Sequence, residues 1–237
     1  MQDAMGDHID GGGFMLGTRK RVGVVLCGCG HRDGSEVHEA TLALLAIDRA
    51  GAEALCFAPT GNTASVRDHL TGQEAPGRRS MLVESARIAR GRIADISTAS
   101  AFNLDALVIP GGQGAALNLS SYLADGVNCS VLPEVARIVG EMVKAGKPIG
   151  AICIAPATLA RALQKLGVAA TMTCGTDQEV AKAIGAMGHR HVECAAAECV
   201  VDHEHKIVTT PAYMNATSIG EVWQGIEKLV NAVMEMT

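Results

Sequence analysis

Short apolar runs alternate along this chain with longer stretches whose apolar residues recur at helical spacing. Arg21-Val-Gly-Val-Val-Leu26, Ala54-Leu-Cys-Phe-Ala58, Asn103-Leu-Asp-Ala-Leu-Val-Ile109 and the run from Lys147 to Ile152 are of strand length, with Gly or Pro at their borders. They read as strands buried on both faces. Residues 35–50, 81–89, 132–145, 155–166, 178–187 and 218–236 read as helices, and Gly51, Gly91, Gly146 and Gly188 punctuate their ends. The last carries a stripe of Ile219, Val222, Trp223, Ile226, Leu229, Val230 and Val233. Residues 60–79 are rich in Gly and Pro and read mostly as loop, with room for one short strand. Residues 113–129 read as loop with a helical turn near Asn118. Further strands are expected at 170–174, at Val192, at 199–202 and at 206–210, the last two joined by a turn at His203-Glu204-His205. Strand–helix alternation of this kind predicts a doubly wound α/β sandwich with a mostly parallel sheet, one domain over residues 21–237.

Composition narrows the function classes. Hydrophobic residues make up 48% of the 237, aromatics only 3%, so Ala, Val, Leu, Ile and Met must build the core. A net charge of -5 without any Lys/Arg cluster argues against a nucleic-acid partner. No apolar stretch approaches the ~20 residues that cross a bilayer. The eight cysteines, at 27, 29, 56, 129, 153, 174, 194 and 199, include no C-x-x-C pair and read as a reduced, cytoplasmic set. Residues 1–20 are too polar for a secretory signal and too acidic for a mitochondrial transit peptide, and are expected to be a disordered leader.

In a doubly wound sheet ligands bind at the carboxyl ends of the strands. The loops there carry Cys27-Gly-Cys-Gly30, Pro110-Gly-Gly112 and Cys153. Cys153 sits where the strand ending at Ile152 turns into a helix with Pro156 in its first turn, the layout of a nucleophile elbow. The helix N-terminus is expected to favour thiolate over thiol. The plainer alternative is a small buried cysteine at a strand end. Glu36 and Glu39 lie in the first turns of the helix beginning near Ser35. Asp33 and Glu36 have capping-box spacing, which accounts for Glu36, whereas Glu39 is free to reach the sulfur as a protonated acid. Gly111 and Gly112 can aim N–H groups at an oxyanion or simply make a turn. His38, lying between the two glutamates, is expected to point elsewhere. His189, His191 and Cys194 lack a zinc spacing, and His203 and His205 fall in a hairpin turn expected in solvent, so no metal site is expected. Cys27-Gly-Cys-Gly30 lacks the third glycine of a dinucleotide fingerprint, and there is no Walker lysine.

Gly34-Ser-Glu-Val-His-Glu39, Pro110-Gly-Gly-Gln-Gly-Ala115 with Asn118-Leu119, and Ala151-Ile-Cys-Ile-Ala-Pro156 together resemble the PfpI/ThiJ superfamily of class I glutamine-amidotransferase-like domains. Cys-Gly-Cys-Gly-x-x-Asp-Gly-Ser-Glu from Cys27 and Thr209-Thr-Pro-Ala-Tyr-Met214 look like its ElbB branch, described as isoprenoid-biosynthesis-associated glyoxalases. The resemblance implies a flavodoxin-like fold and a homodimer without metal or organic cofactor. It implies Cys153 as nucleophile, Glu39 as its acid/base partner, and the N–H groups of Gly112 and Ile154 as the oxyanion hole, with Cys29, Glu36 and Gly111 as neighbours. The implied activity is glyoxal to glycolate, with apparent deglycase activity from the same chemistry. Many relatives carry a histidine about twenty residues after the nucleophile, where this chain has Thr171-Met-Thr-Cys-Gly175. That departure argues against glutamine amidotransfer and favours the rival expectation, a redox-sensing or regulatory protein built on an oxidisable Cys153.

Overall fold

The computed structural model of the chain describes residues 19–237. Most of the expected leader therefore lies outside the described residues. Its last part does not behave as one: the Arg19 guanidinium donates to the carbonyls of Gly51 and Ala52, at 3.0 and 2.7 Å.

Seven strands form the main sheet: β1 (Arg21–Val25), β2 (Glu53–Ala58), β3 (Ile93–Asp95), β4 (Ala106–Ile109), β5 (Ile149–Ile152), β8 (Val200–Asp202) and β9 (Ile207–Thr210). Their order is β3-β2-β1-β4-β5-β9-β8, parallel throughout except for the β8–β9 hairpin. This is the doubly wound, flavodoxin-like α/β fold that the strand–helix alternation predicts. β1, β4 and β5 are apolar and almost wholly buried, as central strands covered on both faces must be. The chain runs outward from β1 to β3 and returns beside β1 as β4, so the switch point lies between β1 and β4.

The helices are α1 (Val37–Arg49), α2 (Met81–Ile88), α3 (Gln113–Leu117), α4 (Tyr122–Asp125), α5 (Pro133–Lys144), α6 (Ala155–Lys165), α7 (Gln178–Ala186) and α8 (Ile219–Glu235). α8 buries Val222, Ile226, Leu229, Val230 and Val233 and packs on α1, while α5 and α6 pack together. One continuous apolar cluster joins both layers through the sheet.

Several local expectations need correction. Residues 60–79 hold no strand, only the isolated bridges Asn62–Ser80 and Arg67–Glu74. The strand expected at 170–174 shrinks to β6 (Thr171–Met172), which leaves the main sheet and pairs with β7 (Arg190–His191) instead of at Val192. The edge strand β3 had no sequence signal, because three residues are too few to show a period. Residues 113–129 hold two short helices and a 3-10 turn rather than one turn in a loop.

Candidate active site

Cys153 follows β5 directly. Its φ of 63° is a left-handed conformation that a side-chain-bearing residue adopts only when its surroundings force it, at a cost of about 1–3 kcal/mol. Here the Cys153 N–H donates to Thr210 O at the end of β9 (2.9 Å), while α6 begins two residues on with Pro156 in its first turn. The elbow is thus clamped between a strand ladder and a helix start. The thiol, on a residue only 7% exposed, accepts from the Gly112 N–H and shares a hydrogen bond with the Glu39 carboxyl.

Glu39 is completely buried, and its carboxyl is held on both sides. Oε2 accepts from the Gly111 N–H at 3.0 Å and Oε1 from the Tyr213 N–H at 3.3 Å. Burial, and then the nearby Glu36 carboxylate, push Glu39 up to about 8; the hydrogen bonds from Cys153, Tyr213 and Gly111 only partly oppose this. A neutral acid beside the sulfur is therefore its state at neutral pH. Burial and the Glu39 carboxyl also hold the Cys153 thiol well above its ordinary range, against the Gly112 N–H that lowers it. The expected thiolate is thus overturned. Desolvation of a closed site outweighs the dipole of α6, and one proton more stays in the pair than the helix end alone implies.

The remaining anticipated positions fall into two groups. Gly111, Gly112 and Ile154 surround the pair. Glu36 N–H donates to Gly111 O (2.9 Å), and any side chain at Gly111 would collide with Cβ of Cys153 and come within 2.7 Å of Glu39 Oε2. Gly112 has φ 92° and caps α3, and Ile154 caps α6, whose first N–H groups have no intrahelical acceptor. Glu36 itself is the N-cap of α1, accepting from the Glu39 N–H at 2.7 Å, so the expected Asp33–Glu36 capping box does not form. Asp33 is buried and takes the Arg67 N–H instead. Cys29 is not brought to the site: its charged neighbours are Glu84, Arg87, Asp33 and Arg79, because the loop after β1 turns it toward α2.

Two residues at the site were missed or misplaced by the sequence reading. His38, expected to point elsewhere, has Nδ1 2.7 Å from the Tyr213 hydroxyl. Together with His31 and Glu36, they line a cleft of about 310 Å³, and the Tyr213 backbone N–H links it to the Glu39 carboxyl. Tyr213 lies in a short 3-10 turn after β9 whose first residue, Ala212, is strained at φ 43°. The available signal was its place after a strand, on the same sheet edge as Cys153. In the stretch Thr171–Gly175, Cys174 lies buried with its sulfur on the Ala157 N–H, and burial holds that thiol protonated. Asn118 ties the loops of this edge together, donating to Cys27 O and Asp33 O (both 2.9 Å) and accepting from Ala64 N–H (2.8 Å). Among the described residues no group of three or more His, Cys, Asp or Glu is placed to hold a metal ion. His189 instead bonds Ala160 O and the Ala170 N–H, and His191 accepts from the Cys174 N–H. His205, expected in solvent, folds back on Asp202. No helix among the described residues is long and apolar enough to cross a membrane.

Comparison with known proteins places the chain in a family. The human protein named glutamine amidotransferase-like class 1 domain-containing protein 3, mitochondrial, is 44% identical over 227 residues, 92% of this chain and 83% of its own. The rat ES1 protein homolog, mitochondrial, is 42% identical over 92% of this chain and 85% of its own. A crystal structure from Ehrlichia chaffeensis, described as an isoprenoid biosynthesis protein with an amidotransferase-like domain, superposes with a TM-score of 0.86 at 39% identity, covering 92% of this chain and 99% of the other. The model of the DJ-1/PfpI family matches residues 33–218, and this chain belongs to the DJ-1/PfpI family.

Proposed function

We propose that this protein is a cofactor-independent glyoxalase of the ElbB type that isomerises and hydrates glyoxal to glycolate. The observation that carries the reading is the contact between the Cys153 sulfur and a buried, neutral Glu39 carboxyl on a strained elbow. The thiol adds to one aldehyde of glyoxal: Glu39 gives its proton to the aldehyde oxygen while the thiol proton leaves to solvent, giving S–CH(OH)–CHO and a Glu39 carboxylate. The N–H groups of Gly112 and Ile154 stabilise the developing oxyanion. Glu39, now a carboxylate, removes the C1 hydrogen to form an enediol and returns it to C2, leaving the thioester S–CO–CH2OH. Water then releases glycolate and regenerates the thiol.

The test is glyoxal consumption and glycolate formation by purified protein beside Cys153→Ala and Glu39→Gln. Turnover present in the wild type and lost in both variants is the expected result; turnover no greater than that of Cys153→Ala sinks the reading. The rival, a redox-responsive protein without turnover, is favoured by one observation, the stretch Thr171–Gly175 that offers Cys153 no histidine. It predicts instead that mild peroxide converts Cys153 to its sulfinic acid, with Glu39→Gln altering the yield by mass spectrometry. All eight cysteines are unpaired, which supports a reducing compartment such as the cytoplasm, while the names of two relatives carry the word mitochondrial. The homodimer that the resemblance implies is part of the same proposal, and light scattering at micromolar concentration checks it.

A further inference from the structure

The isomerisation of the Cys153 adduct needs a second proton donor, and Glu39 cannot be that donor. While Glu39 carries hydrogen from C1 to C2, the distal aldehyde oxygen becomes a hydroxyl and must receive a proton from another group. Cys174, close enough for its charge to act on Cys153, is a buried thiol held protonated far above the working range. Tyr213 and Glu36, which both bond Glu39, open onto a cleft whose other polar groups are His31 and His38. Burial and the charge on His69 and Arg32 lower His31, leaving it neutral and a weak acid. Glu36 is a carboxylate acceptor already committed through Oε2 to the Glu39 N–H.

Tyr213 differs from both. Its backbone N–H holds Glu39 Oε1, which fixes the residue at the reacting pair, while its hydroxyl reaches the cleft and meets His38 Nδ1 at 2.7 Å. Burial, then Glu36 and Glu39, keep the phenol protonated. The strained φ of Ala212 turns the chain so that one residue makes both contacts.

We propose that Tyr213 is a catalytic residue that donates its hydroxyl proton to the distal carbonyl oxygen of the Cys153 adduct, with His38 as the positioning residue that orients the phenol and replenishes it. This rests on the glyoxalase reading above. In the step, the C1–H bond breaks toward Glu39 and its electron pair becomes C1=C2. The π pair of the distal carbonyl moves onto oxygen and takes the Tyr213 proton, which His38 replaces. Glu39 then protonates C2 while the first hydroxyl loses its proton to solvent, from which His38 regains the one it gave, and the thioester carbonyl forms. The net change moves one hydrogen from C1 to C2 and one from the first oxygen to the second, and the Tyr213–His38 pair ends as it began.

The experiment compares wild type, Tyr213→Phe and His38→Gln for glyoxal turnover, and measures the alkylation rate of Cys153 by iodoacetamide at one fixed pH. Tyr213→Phe keeps the ring and the N–H to Glu39, so alkylation should stay within twofold. Its kcat should fall about 100-fold, the ordinary size of one general-acid contribution, with KM within threefold. His38→Gln, which still offers a hydrogen-bonding partner, should lose less. A Tyr213→Phe kcat within twofold of wild type overturns the proposal while leaving the glyoxalase reading intact. A kcat loss accompanied by an altered alkylation rate also overturns it, because Tyr213 would then act only by shaping the pair. Wild-type protein without turnover sinks the underlying reading, and this assignment with it.

Discussion

Cys27 and Cys153 stand at the carboxyl edge of the same sheet, after β1 and β5, and both are buried. Cys27 meets the Ser35 hydroxyl, 3.4 Å from its sulfur, and burial pushes its thiol up to about 12. Cys153 meets a carboxyl that itself titrates near 8, and its backbone is held at φ 63°, whereas Cys27 is not among the residues with positive φ. The difference teaches that burial at the right edge does not make a thiol chemically useful. A partner that exchanges protons in the working range does, and so does a backbone forced to present the sulfur.

Replacement of the two cysteines is the bluntest way to break this contrast. Cys153→Ala should abolish glyoxal turnover, whereas Cys27→Ala should keep it within twofold. Equal losses would mean the distinction is wrong. Next comes the carboxyl. Glu39→Gln should lower kcat by about 100-fold or more, and it should also change how stability depends on pH. The native carboxyl titrates near 8 against an ordinary 4.5, so the folded state holds a proton that the unfolded state releases between those values. That stabilisation is complete below pH 4.5 and is lost as pH rises through about 8. Relative to wild type, Glu39→Gln should therefore gain stability from pH 5 to pH 8.5, by about 4 kcal/mol in urea titrations. A flat difference across that range would remove the raised carboxyl from the account.

Smaller effects sharpen the structural side. Ser35→Ala leaves the buried Cys27 N–H without the acceptor it has at 3.0 Å, and should cost about 1–2 kcal/mol while the alkylation of Cys153 is unchanged. Finally, Cys153→Gly should be more stable than Cys153→Ala by about 0.5 kcal/mol, because glycine takes a positive φ without strain. At Cys27 the order of the same two replacements should reverse, and paired thermal melts of the four variants check it.

Much of the fold is legible because central parallel strands must be apolar on both faces. β1, β4 and β5 therefore stand out as runs, and α8 as a stripe. What escapes is whatever depends on contacts distant in sequence. β6 and β7 pair with each other outside the main sheet, a choice no local pattern encodes. The direction of Cys29 is set by how its loop meets α2, not by its closeness to Cys27. His38 shows the same limit: helical spacing separates it from Glu39, yet a tyrosine arriving 175 positions later gives it a place at the cleft. The state of the Cys153 thiol was misjudged for a related reason. The helix end is visible in sequence, whereas the completeness of burial is not.

The clamp on the elbow also has a consequence in time. Cys153 is held by Thr210, and Glu39 by Tyr213, on the far side of α6 and α7 in the chain. During synthesis from the amino end, the nucleophile and its acid both emerge well before the residues that lock them. A nascent chain halted before β9 lacks both the Thr210 carbonyl that holds Cys153 and the Tyr213 N–H that holds Glu39. The chemistry assigned to this edge is thus withheld until β9 and the turn after it have been made, and no product ending before them can exercise it.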